Sequence, residues 1–240
     1  MISRDLSLTQ RREGVREKHE ICPSVQEFSL DEIKCHFDES INQIESNFST
    51  AEALMNNGNA EGCKNIWRSQ IVFVESALDF YLHELSKIGF ANIFSGRWNK
   101  TDRYNNHKVP MKQLEIALKN PESNSWIFEY ANERFSREVF LSKESMKDQL
   151  NLLGVNFEPV ISSAFPKSTD PSVKNRSGSE IISDLFERRN LIAHQSDRNH
   201  YDANQNEISR EYVEQCINDV KKLVESIHNY SIRKGCSDEE

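Results

Sequence analysis

Arg189, Asn190 and His194 are the residues of this chain whose types and spacing suggest chemistry. They lie in the stretch Leu-Phe-Glu-Arg-Arg-Asn-Leu-Ile-Ala-His-Gln-Ser-Asp, residues 185–197. An arginine keeps its proton at any working pH, whereas a histidine titrates near neutrality, so the combination suits proton transfer beside a phosphate. On an ideal helix, Asn190 and His194 are ~40° apart around the axis and ~6 Å apart along it, and share a face. Arg189 lies ~140° from His194, too far for a short side chain, although an arginine is long enough to swing back. Taken alone, such a pattern recurs by chance, and Arg-Arg-Asn is ordinary surface composition. The elements around it give it weight.

Those elements read as helices. Ser177 and Glu180 form a capping box, after which Ile181, Ile182, Leu185, Phe186 and Ile192 turn inward and lead into the motif. Residues 195–208 are polar and turn-like. Ser209 caps a last helix whose stripe is Val213, Ile217, Val220, Val224 and Ile227, and which ends near Gly235. Near the start of the chain, Ser29 and Glu32 form another capping box. Behind it, Ile33, Phe37, Ile41, Ile44, Phe48, Ala51 and Met55 recur at helical spacing until Asn57-Gly58. Residues 61–89 carry Trp67, Ile71, Val74, Leu78, Tyr81, Leu85 and Ile88, with Ile66, Phe73, Ala77 and Phe80 widening the apolar face. So broad a face predicts a central helix with several neighbours, capped by Gly89.

The middle of the chain is less regular. Trp98, Tyr104 and His107 stand among basic and polar residues, a mixture able to stack on single-stranded nucleic acid but more simply read as a surface loop with anchoring rings. Short helices are expected from Pro110 to Leu118, over 125–137 and over 143–153. The stretch Phe157–Phe165 is short enough to be a brief extended piece, and 166–178 is the most evident loop. Together these features predict a mostly α fold in which 29–56, 61–89, 180–194 and 209–233 pack as one bundle, with 92–178 inserted as small helices and loops. Residues 1–24 read as a flexible arm, and 25–240 as a single domain.

Composition narrows the chemistry. The net charge is −8, with 28% charged and 37% hydrophobic residues. Broad, charge-driven nucleic-acid binding is therefore disfavoured, and any such chemistry should be confined to one cleft. No apolar run approaches the ~20 residues of a membrane span, and the first residues lack the apolar core of a secretory signal. Five scattered cysteines without a CxxC pair suggest reduced thiols in a cytoplasm. There is no Walker loop, GxGxxG or HExxH, the histidines lack metal-ligand spacing, and neither a metal nor a cofactor is expected.

With these parts in place, the chain resembles the HEPN superfamily, all-helical bundles of prokaryotic defence and toxin–antitoxin systems, and within it the RiboL-PSP type. The superfamily signature is an arginine, often followed by a polar residue, then a histidine four to six intervening positions on. Arg189, Asn190 and His194 match it. ERRNLIAHQSDR followed by ISREYVEQCINDVKKLVESI is typical of the family's last two helices. RSQIVFVESALDFYLHEL is similar to its central helix, with an acidic residue near the middle, Glu75 or Asp79. The likeness covers 28–92 and 179–232. Arg188 also satisfies the spacing; Arg189 is preferred because Asn190 then takes the polar position. A toxin branch carries a tyrosine two residues after the histidine, where this chain has Ser196, so that branch's control by modification is not implied.

The resemblance implies a metal-independent endoribonuclease of a defence or toxin–antitoxin system. In it the RNA 2′-OH attacks the adjacent phosphate and leaves a 2′,3′-cyclic phosphate. His194 would act as general base or acid, Arg189 would hold the phosphate, and Asn190 would orient His194 or a phosphate oxygen. Arg188 would contact RNA or simply face solvent, and Arg198 is a further candidate for RNA contact. It also implies a homodimer with the motif near the two-fold axis, and an antitoxin or another defence-system component as a possible partner. Two other readings stand beside this one. The first is a non-catalytic HEPN module that scaffolds a defence complex. The second is a helical dimer whose Arg–Asn–His cluster only ties helices together.

Overall fold

Helix α1, Leu30–Asn56, begins where Ser29 and Glu32 close their capping box: Ser29 N donates to Glu32 Oε2 at 2.7 Å, and Glu32 N donates to Ser29 Oγ at 3.2 Å. Its stripe from Ile33 to Ala51 is buried against α2, Ala60–Phe94, as an antiparallel pair turned at Gly58, whose φ of 78° suits glycine. The computed structural model of the chain describes residues 26–119, 123, 125–167 and 176–235. Within them the further helices are α3 Asp102–Asn105, α4 Met111–Lys119, α5 Ser125–Phe135, α6 Lys143–Leu152, α7 Phe157–Ala164, α8 Gly178–Gln195 and α9 Arg210–Gly235. No strand occurs among the described residues beyond one isolated bridge, Arg198 with Gln205. The fold is the mostly α bundle that the stripes predict.

Helix α2 is the centre. It packs on α1, α5, α8 and α9, and from Leu78 to Ile93 it is buried on nearly every side. The breadth of its apolar face has this cause. Phe73 and Phe80, expected to widen that face, are exceptions at 53% and 43% exposure. They lie two turns apart on a strip bordered by the polar Ser40, Gln43 and Asn47 of α1, where no other helix among the described residues lines the groove. Gly89 is a second correction. The helix runs on to Phe94 and stops at Ser95 and Gly96, the latter with φ +81°.

Gly89 serves close packing instead. A Cβ there would lie 2.8 Å from Trp98 and 3.1 Å from both methyl groups of Leu153, and both neighbours are buried. Alanine should gain up to about 1 kcal/mol of helix propensity but lose about 1–3 kcal/mol to overpacking. Gly89→Ala should therefore lower the melting temperature; a rise would show that Trp98 yields freely.

The middle segment is built into the bundle. α5 packs on α2 and α7 on α9, where Ser226 Oγ donates to Val160 O at 2.8 Å. The ring mixture is an anchor. Trp98 is buried, Tyr104 and His107 lie 4.8 and 5.0 Å from the Phe90 ring, and His107 Nε2 meets Tyr130 OH at 2.8 Å. The stretch expected as a possible extended piece is the helix α7. Pro159 falls in its first turn, where its missing N–H costs nothing, and Phe157 N donates to Asn151 Oδ1 at 3.1 Å. The expected arm 1–24 lies outside the described residues, as do 168–175 of the expected loop.

Candidate active site on the last turn of α8

Helix α8 starts at the second capping box, with Ser177 N donating to Glu180 Oε2 at 2.7 Å. Its inward stripe is Ile182 and Leu185, with Ile181, Phe186 and Ile192 partly buried. One turn beyond Leu185 that stripe reaches Arg189. The guanidinium is thus carried toward the core by the periodicity that buries the leucine. Arg189 is half-buried, and its Nη1 donates to Asn190 Oδ1 at 2.9 Å. Asn190 therefore holds the arginine rather than His194. Among the described residues no carboxylate forms an ion pair with Arg189. His194 stands one turn further on, exposed and without a hydrogen bond to the described residues.

Arg188 points elsewhere. Its Nη2 donates to Asp197 Oδ2 at 2.8 Å and to Glu207 O at 3.1 Å, and its guanidinium lies over the Tyr212 ring. The same Asp197 oxygen accepts from Arg68 Nε of α2 at 2.8 Å. Asp197 is fully buried, and Asn206 Nδ2 donates to its Oδ1 and to its carbonyl. Arg198 is exposed, and its guanidinium donates to Ala203 O within its own loop. The five site candidates are thus divided: Arg189 and Asn190 are joined, His194 is open, Arg188 is engaged by Asp197, and Arg198 folds over the turn.

Two groups complete the setting from below. Glu75 of α2 is 1% exposed, its Oε1 lacks a hydrogen bond, and burial pushes its pKa up to about 8 against the opposing pull of Arg189. Of the two acidic residues considered for the central helix, it is Glu75 that faces the motif. Asp79 lies one turn on and accepts from Phe140 N. Cys216 of α9 lies in the field of Glu75, and its thiol is raised to about 11, chiefly by burial, so it is an inert core group. Among the described residues, no group of three His, Cys, Asp or Glu side chains is placed to hold a metal ion.

The RiboL-PSP-HEPN family model matches residues 37–232, most of the chain, from inside α1 to inside α9. This chain belongs to the RiboL-PSP-HEPN family. No curated protein and no solved structure matches it. The matched HEPN stretch includes the middle segment as well as the four long helices. HEPN membership supports a nuclease or RNA-related role in general, since such domains are often ribonucleases that bind RNA and dimerise. Among the described residues, no helix of this HEPN protein is long and apolar enough to cross a membrane.

The residues that the motif does not contain, Asp197 and Arg68, had no separate signal in the sequence. Asp197 lies near the start of a polar run and Arg68 sits on a long amphipathic helix, both ordinary positions for a solvated charge. Their meeting across the fold shows only in three dimensions.

Proposed function

We propose that this protein is a metal-independent endoribonuclease acting in a defence or toxin–antitoxin setting, with Arg189, Asn190 and His194 as its working residues. The observation that carries this reading is the division of the two adjacent arginines. Arg188 is engaged inside the chain by Asp197, which it shares with Arg68, while Arg189, without a carboxylate partner among the described residues, is held by a neutral amide. A guanidinium left in that condition is available for a phosphate oxygen. Arg188 and Arg198 then contribute to the site through the loop they brace, with any contact to RNA secondary.

The chemistry needs little else. A base removes the proton from the 2′-OH, the 2′ oxygen attacks phosphorus, and the bond from phosphorus to the 5′ oxygen breaks as that oxygen takes up a proton. The products are a 2′,3′-cyclic phosphate and a 5′-OH. Arg189 meets the charge that builds on the phosphorane. In a two-fold homodimer, one His194 serves as base and the partner subunit's His194 as acid, and two Arg189 side chains gather positive charge on a protein of net charge −8.

The test uses the purified full chain in EDTA on one sequence offered as RNA, as 2′-O-methyl RNA and as DNA. Only the unmodified RNA should be cut, with a cyclic phosphate end. Cleavage of DNA, or a magnesium requirement in the chemical step, would overturn the mechanism. Sedimentation at micromolar concentration should show a dimer, and a monomer would remove the shared site.

The exposed Phe73 and Phe80, which border a groove of about 390 Å³ between α1 and α2, favour a second reading. Under it the domain docks onto another protein as a scaffold and does not cleave. His194→Ala leaves such docking intact and abolishes cleavage under the first reading.

A further inference from the structure

We infer that Asp197 is a positioning residue of the site: it sets the backbone turn that carries His194 and withdraws Arg188 from the substrate. The inference rests on the ribonuclease reading above.

The turn is an unusual one. Ser196 and Asp197 both adopt left-handed backbone, with φ of 53° and 60°, and neither is glycine. Such residues persist only where the surroundings hold them. Here the hold is Asp197. Its N–H closes the helix end on Leu191 O at 3.0 Å, so that His194 lies on the loop of backbone between those two groups. Its carbonyl accepts from Asn206 N at 2.8 Å, which folds the following hairpin back. Its carboxylate is gripped from two helices at once, by Arg68 of α2 and Arg188 of α8, each at 2.8 Å. Arg68 Nη2 also donates to Asn206 O at 3.0 Å, so one guanidinium spans both ends of the hairpin.

His194 has no hydrogen bond of its own among the described residues. Its place is therefore a matter of backbone, and just past the end of α8 that backbone is tied to α2 through the Asp197 carboxylate and Arg68. The same carboxylate leaves one arginine of the adjacent pair free for a phosphate. Two cations against one anion leave the cluster positive, so the arrangement does not repel RNA.

Asp197→Asn tests this with little change of shape, because asparagine tolerates left-handed backbone and keeps an amide oxygen. With folding at the assay temperature checked by circular dichroism and a melting curve, kcat should fall roughly ten- to hundred-fold. KM should stay within about twofold or fall, since Arg188 becomes available to the phosphates. Arg68→Lys is the milder companion. It keeps the charge on α2 and loses the forked contact, so it should fold and lose kcat by a smaller factor, again without a raised KM. Wild-type kcat in either folded variant, or a loss expressed only in KM, would overturn the positioning role. If the wild-type chain fails to cut RNA, or if His194→Ala cuts as well as wild type, the ribonuclease reading itself falls and takes the inference with it.

Discussion

His194→Ala should lose cleavage by about two to four orders of magnitude, the range that a positioned acid or base contributes, while its melting temperature stays close to that of wild type. The second half follows from where the imidazole sits: it is exposed, and no hydrogen bond to the described residues is lost with it. Arg189→Ala should be comparably damaging to the rate, because it removes the charge that meets the phosphorane. It should also lower stability modestly, because the half-buried side chain and its hydrogen bond to Asn190 are lost. Arg188→Ala should show the opposite balance. It removes one of the two arginines on the buried Asp197 carboxylate but leaves Arg68 in place, and should cost about 2 kcal/mol of folding stability. Denaturant melts and single-turnover cleavage on the same three proteins separate these patterns. An Arg188 variant that folds like wild type but no longer cuts would reverse the roles of the two arginines.

Glu75→Gln should make the protein more stable in alkali and leave it unchanged in acid. The Glu75 carboxyl is pushed up to about 8 because burial disfavours its charged form more than Arg189 favours it. Its unfolded value lies near 4.5, so between the two values the folded chain binds the proton that the unfolded chain has released. Stability must then fall as pH rises through that window and level off above about 8. The full shift corresponds to something on the order of 5 kcal/mol, which glutamine escapes because it never ionises. Urea melts at pH 5, 7 and 9 should show wild type and variant diverging with pH. Parallel curves would mean that Glu75 ionises without penalty, and that the α2–α8–α9 interface admits water. At neutral pH the mostly protonated Glu75 makes little claim on Arg189, which leaves that cation free for a phosphate.

How much of this was legible beforehand differs by element. The capping boxes at Ser29 and Ser177 and the stripes of α1, α8 and α9 appear where their spacing puts them, except that Met55, expected to close the α1 stripe, is 40% exposed; local hydrogen bonding and 3.6-residue periodicity act over a few residues of chain. The end of α2 was misplaced for the complementary reason. Gly89 has the look of a cap, but Trp98, past the true helix end, and Leu153, distant in sequence, require its missing side chain. Phe73 and Phe80 obey the apolar pattern and yet are exposed, since periodicity says which residues share a face and not whether anything covers it.

The site divides the same way. The motif types, their spacing and their place at the end of a helix are properties of the sequence by itself, and they are enough to suggest phosphate chemistry and to recognise the family. Which arginine is free, which group Asn190 holds and what fixes the backbone under His194 were decided by the tertiary structure. Arg188 and Arg189 are chemically identical neighbours about 100° apart on one helix. Only the arrival of Asp197 from the following turn and of Arg68 from α2 makes one of them a brace and leaves the other its charge.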